Sequence, residues 1–270
     1  MVANGSHGAG RLMRGNPVKD TLAAGDCALG TMVFEFFTPG MARIMAAAGA
    51  EFALFDTEHS GAGIETIKAQ MSYAAGTSCL PMVRVPGTDY PYIAAALDAG
   101  ALGIMAPMVE TADQARHLVA CTRYPPSGRR GAAFGVAHDD YRGGPVVEKI
   151  AAANARTLVI AMIETAPGVR NVAEIAAVPG VDVLWLGHFD LTNSMDIPGQ
   201  FDHPDYLGAV RQITSAAGRN GRACGVMVAD EGWAERYLGM DFRMMAYSLD
   251  HLLFQSALAR GIAAMRGMIG

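Results

Sequence analysis

The sequence predicts an α/β fold, a (β/α)8 barrel of the TIM type, and three observations carry that expectation. Eight short apolar runs alternate with amphipathic segments along 270 residues. Several of those segments end in a glycine of the kind that closes a helix. No proline- or serine-rich linker divides the series, so it forms one unit rather than two. An open doubly wound sheet is the alternative. The dinucleotide fingerprint GxGxxG and the phosphate loop GxxxxGK[ST] are both absent, which weakens its nucleotide-binding versions.

The first strand is expected over 28–36, "ALGTMVFEF", followed by the helical "GMARIMAAAGA". The second covers 52–58, "FALFDTE", and precedes "TIKAQMSYAAG". The third, 79–85, is "CLPMVRV", with "YIAAALDAGA" behind it. Strand four is 102–109, "LGIMAPMV", before "ADQARHLVACTRY". Strands five to eight fall at 157–164, 181–190, 223–230 and 242–249. Their runs of valine, isoleucine, leucine and methionine suit strands buried on both faces. Residues 1–18 are expected to form a flexible arm, since "MVANGSHGAGR" offers little apolar surface to offset its ordering entropy; residues 19–270 then form the barrel domain.

About half of the residues are apolar and the net charge is −5, with no basic stripe for nucleic acid. Cys27, Cys79, Cys121 and Cys224 have no paired spacing, so neither a zinc knuckle nor a disulfide framework is indicated. Arg43 and Asp98 interrupt the longest apolar stretches, and no signal peptide is evident. A cytoplasmic protein without a membrane partner is the expectation.

In a barrel, the C-terminal strand ends converge on one rim. The residues expected there are Asp56, Glu58 and His59, then Arg84, Glu164, His188, Asp190, Asp230, Ser248 and Asp250. Each has a structural reading too: Glu164 can favour a helix N-terminus, Asp190 can make a turn, and Arg84 can pair with any nearby acid. Taken jointly, two carboxylates on adjacent strands beside arginine and histidine suit a hard divalent cation with open positions. Lys19, Lys68 and Lys149 lie away from the strand ends, so no Schiff base is expected.

The motifs "FALFDTEH", "PMVRVP", "LDAGALGIMAPMVET", "TRYPPSGRRG", "MIET" and "LWLGHFDLTNSMDIPG" resemble, in order, those of the metal-dependent (class II) pyruvate aldolases of the hydroxy-oxo-heptanedioate aldolase and citrate lyase superfamily. The resemblance implies reversible aldol cleavage of a 4-hydroxy-2-oxo acid to pyruvate, or a related 2-oxo acid such as hydroxypyruvate, and an aldehyde. It implies that Glu164 and Asp190 hold Mg2+, Mn2+ or Co2+, that His59 is the base with Asp56 orienting it, and that Arg84 stabilises the enolate. Glu58 and Asp98 take supporting places, Asp98 toward a neighbouring subunit, and a homo-oligomer is implied, a hexamer built as a trimer of dimers.

Two departures mark this chain: Met162 stands where many members have glutamine, and "GHFD" replaces "GPAD". Met162, His188 and Phe189 therefore fall at substrate-binding positions, with a His188 packed or hydrogen-bonded behind the site preferred over one placed as a polar group over the metal. Arg129 and Arg130 belong to a rigid loop, with phosphate binding as the alternative. The apolar last helix either meets another subunit or closes its own barrel. Cleavage of a coenzyme A thioester such as malyl-CoA, and a non-catalytic metal-binding barrel, are the competing functions.

Overall fold

The structure, a computed structural model, describes residues 12–269. Eight parallel strands close in sequence order: β1 (Ala28–Val33), β2 (Phe52–Asp56), β3 (Leu80–Arg84), β4 (Gly103–Ala106), β5 (Leu158–Ile163), β6 (Val183–Leu186), β7 (Ala223–Val228) and β8 (Met244–Leu249). Helix α1 (Pro17–Ala23) precedes them. The intervening helices are α2 (Met41–Ala47), α3 (Ile64–Ala74), α4 (Tyr90–Ala99), α5 (Ala112–Thr122), α6 (Val146–Arg156), α7 (Ala166–Arg170), α8 (Val172–Ala176), α9 (His188–Ser194), α10 (Pro204–Arg219) and α11 (Glu231–Leu238). Helix α12 (Asp250–Ile269) ends the chain.

Two apolar layers hold this frame. Inward-facing residues, among them Met32, Leu54, Met82, Ile160, Met162 and Trp185, fill the barrel interior. Outward-facing residues such as Val33, Phe55, Val83, Leu184 and Val226 pack beneath the helices. The alternation along each strand produces both layers from one apolar run.

The strands are shorter than their apolar runs. β6 stops at Leu186, four residues before the expected end, because pairing ends at Gly187 and α9 starts at His188. Asp190 consequently lies in the first turn of α9 rather than on a strand. β1 likewise stops at Val33, leaving Phe34, Glu35 and Phe36 as a rim turn.

The expected arm also needs correction. Residues 1–11 lie outside the described residues, but 12–18 are packed against the barrel. Asn16 caps α1 by accepting from the Lys19 N–H at 3.0 Å, and its Nδ2 donates to Leu102 O and Arg156 O. Arg14 donates to Ala74 O and Thr77 O, and Val18 is buried in the interior cluster. The asparagine–proline pair is a helix-start signal that the low apolar content before it obscured. This segment covers the N-terminal end of the barrel, opposite the rim.

Candidate active site

Asp56, at the end of β2, is fully buried and organises the next turn of chain. Its Oδ1 accepts from Arg84 Nε at 2.5 Å and from the Glu58 N–H at 3.2 Å, while Oδ2 accepts from the His59 N–H at 2.7 Å. The pairing with arginine is set by register, since Asp56 stands opposite Arg84 on the parallel neighbour β3. Both oxygens of this carboxylate are bonded to the frame. Asp56 therefore positions His59 through the backbone and not through the ring, which differs from the expected orienting contact.

Arg84 is buried, yet only part of its fork is used. Nη1 lies 3.0 Å from Glu58 Oε2 without the alignment of a hydrogen bond, and Nη2 has no partner. Phe34 of the β1 rim turn places its ring 5.2 Å from the guanidinium carbon. A buried guanidinium with free N–H groups is an anion site in waiting, because leaving those donors unpaired is costly.

His59 exposes more than half of its side chain, with Nε2 3.6 Å from Glu58 Oε2. Burial raises the Glu58 carboxyl above its ordinary value; Asp56 and Asp190 add to this, while Arg84 and His59 oppose it.

Glu164 follows β5 directly and is 3% exposed. Its Oε1 accepts from the Met108 N–H at 2.6 Å, a donor presented by Met108 in the left-handed region at φ 54°. Burial, with Glu58 and Asp190 as like charges, pushes the Glu164 carboxyl up to about 7, against the Met108 N–H and Arg84. Gly187 makes this possible: a Cβ there would stand 2.4 Å from Glu164 Oε2 and 2.5 Å from its Cβ. Asp190 is exposed at the start of α9.

Among the described residues, no group of three or more His, Cys, Asp and Glu side chains is placed to hold a metal. The donor set is a pair of carboxylates, Glu164 and Asp190, carrying mutual repulsion that a cation would relieve. Two hard oxygen donors would suit a divalent ion of the magnesium type.

Other expected site residues lie elsewhere. His188 is 4% exposed and packs among Phe189, Phe201 and Trp233, with ring centroids 4.6, 5.4 and 5.1 Å away. Burial pushes its pKa down to about 4, which favours the neutral imidazole in this aromatic packing. Phe189 is exposed beside it, and Met162 faces the interior opposite Trp185. Asp98 sits near the C-terminal end of α4, at the opposite end from the rim, and accepts from Arg130 Nη2 at 2.7 Å. Arg130 is buried against the Tyr124 ring, which commits it to the frame and removes it from phosphate binding. Asp230 caps α11, and Asp250 binds the β1 rim turn.

Sequence reasoning missed Met108, Phe34 and Gly187. Met108 acts through its main chain, so its side-chain type carries no signal. The glycine ending the β6 run was visible, but its close approach to Glu164 was not.

Comparison with known proteins bears on the family and the fold. Residues 31–257 match the family described as HpcH/HpaI aldolase/citrate lyase. A hydroxypyruvate/pyruvate aldolase of Chromohalobacter salexigens is 35% identical over 252 residues, covering 93% of this chain and 98% of that protein. A 4-hydroxy-2-oxo-heptane-1,7-dioate aldolase of Salmonella paratyphi C is 33% identical, over 94% of this chain and 95% of the relative. The crystal structure of an HpcH/HpaI aldolase from Desulfitobacterium hafniense superposes with a TM-score of 0.89 at 30% identity, covering 94% and 97% of the two chains. With a closed barrel, a carboxylate pair and a half-free arginine at one rim, this chain belongs to the HpcH/HpaI aldolase/citrate lyase family.

Proposed function

We propose that this aldolase cleaves the C3–C4 bond of a 4-hydroxy-2-oxo acid, giving pyruvate or a related 2-oxo acid such as hydroxypyruvate, plus an aldehyde. Mg2+, Mn2+ or Co2+ is held by Glu164 and Asp190. The observation that carries this reading is Arg84, fixed by Asp56 through Nε while Nη2 stays unpartnered among acidic neighbours. The names borne by the Chromohalobacter and Salmonella relatives support the substrate class.

When bound, the cation supplies Lewis acidity toward the 2-oxo group. The chain's own residues do the rest. Arg84 donates to the oxygen on which enolate charge develops, at the moment that charge appears. His59 takes the proton of the C4 hydroxyl as the C4–O bond gains double-bond character, and the C3–C4 electron pair passes into the enolate. Return of a proton to C3 completes the 2-oxo acid. Asp56 keeps Arg84 and the His59 backbone fixed, and Glu58 sets the charge beside the imidazole. Met162 and the packed His188 donate nothing to the donor substrate, leaving the positions that differ from other members apolar.

The assembly is a homo-oligomer, a hexamer as the resemblance implies. The exposed apolar residues Leu258, Ile262 and Met265 of α12 support a subunit contact there. No helix among the described residues is long and apolar enough to cross a membrane. The four cysteines are free, which fits a reducing cytoplasm.

Solvent deuterium entering C3 of pyruvate or hydroxypyruvate, followed by NMR with Mn2+ or Mg2+ supplied, tests the reading. Exchange that requires metal and disappears in Glu164→Ala is expected. Absence of exchange with every small 2-oxo acid offered would overturn it.

A further inference from the structure

The first residue of α12 reaches across the seam of the barrel. Asp250 is 3% exposed, and its carboxylate accepts the N–H groups of Phe34 at 3.0 Å, Glu35 at 3.0 Å and Phe36 at 2.7 Å. It also accepts from the His251 N–H at 2.9 Å. Burial alone would raise this carboxyl, and the four N–H bonds outweigh it, holding the group below its ordinary value and charged.

A bulge creates this reach. Gly30 pairs with Ala246, but Met32 pairs with Leu249, so β8 carries one extra residue across the step. Ser248 absorbs it with φ 55°. The slip carries the chain forward by a residue and sets Asp250 over the open end of β1.

The β1 turn is packed by rings, Phe36 on Phe254 at 5.8 Å and Phe37 on Phe55 at 6.4 Å, and Asp250 supplies the side-chain hydrogen bonds to its backbone. Its own backbone bonds are local, from Phe37 N–H to Glu35 O and from Thr38 N–H to Phe36 O. Phe34, the first residue bound by Asp250, is also the ring beside Arg84 at 5.2 Å. Arg84 is hydrogen-bonded by Asp56 at Nε and ion-paired with Glu58 at Nη1 at 3.0 Å, which leaves Nη2 without a partner. A guanidinium held by contacts within its own plane retains freedom to tilt about them, and an aromatic ring beside it limits that freedom.

We propose that Asp250 is a positioning residue for enolate formation, acting through the β1 turn and Phe34 to set the plane of Arg84. The inference rests on the role given to Arg84 above. Asp250 touches no substrate in this scheme. Its effect belongs to the maximum rate and not to donor binding, because the enolate charge that Arg84 meets exists only in the transition state.

The test uses the full chain loaded with Mn2+, with deuterium exchange at C3 of the 2-oxo acid measured against its concentration. Phe34→Leu, which leaves the Asp250 bonds in place, is expected to lower the maximum exchange rate about tenfold with half-saturation unchanged, and Phe34→Tyr to restore it. Asp250→Ala is expected to lose about 10- to 100-fold, and the double variant to be no slower than Asp250→Ala alone. Wild-type exchange in Phe34→Leu, or additive losses in the double variant, overturns the proposal. Should Asp250→Ala fail to fold, the Phe34 pair decides by itself. Arg84→Lys separates the two levels of the argument: if it loses exchange while Phe34→Leu does not, this inference alone falls, and if it exchanges like wild type, the role of Arg84 falls and this inference with it.

Discussion

Glu164 carries its neighbours' repulsion as well as its own burial. A carboxyl pushed up to about 7 holds a proton in the folded apoprotein that the unfolded chain has already released. The stability this contributes is present below the unfolded value and is lost as pH rises through 7. A cation must displace that proton, so its apparent dissociation constant should rise up to about tenfold per pH unit below 7. Calorimetry with Mn2+ at pH 6 and pH 8 in buffers of different ionisation enthalpy reads both affinity and proton release; binding without a pH trend would contradict the assignment. His188 has the opposite sign. Its pKa falls from 6.5 to about 4, so its protonation favours the unfolded chain and stability drops as pH falls through that window. His188→Phe should recover up to about 3 kcal/mol at acid pH, measured by urea unfolding at pH 4.5 against pH 7, with exchange activity retained. Charged side chains of the site were legible in the sequence because carboxylates, arginine and histidine are unusual at the ends of apolar runs. What Asp56 does was less legible: a side chain reveals its charge, but not that two backbone N–H groups and one arginine bond to both of its oxygens.

The turn between β6 and α9 shows how an element fixes a side chain it does not contain. Gly187 leaves the space that Glu164 fills, so Gly187→Ala forces the carboxylate away from its position. The expected outcome is a barrel with unchanged circular dichroism whose Mn2+ affinity falls at least about tenfold, since the ligand and not the frame is displaced. Equal affinity would show that Glu164 reaches the ion from another rotamer. Eight strand cores were readable from apolar runs because barrel strands are buried on both faces, while their ends were not, because nothing in a run such as "VDVLWLGHFD" marks where pairing stops. Only the ladder between neighbours defines that limit, and the ladder is a property of two segments. The β8 bulge escaped for the same reason: Ser248 has no local feature that announces an extra residue against β1.

At the scale of the molecule, α12 leaves the barrel after its first turns and exposes Leu258, Ile262, Met265 and Met268. Apolar residues spaced along one such helix suit the subunit contact proposed above. Leu258→Glu combined with Ile262→Glu should shift the protein to smaller species in sedimentation velocity while each barrel keeps its fold; an unchanged coefficient would place the contact elsewhere. The sequence showed that this helix was apolar but gave no direction for it, since covering one's own barrel and covering a neighbour's demand the same residues. The opposite end of the barrel has a simpler outcome. Helix α1 and the residues before it cover the N-terminal mouth, with Val18 in the interior and Asn16 and Arg14 bonded across three backbone segments. Under the proposed function both fragments of a cleaved molecule would depart by the rim, and the fragment that the ion and Arg84 would hold is the deeper of the two. The proposed mechanism therefore predicts that the aldehyde leaves first and the oxo acid last, so that the oxo acid competes with the starting compound in product-inhibition kinetics and the aldehyde does not.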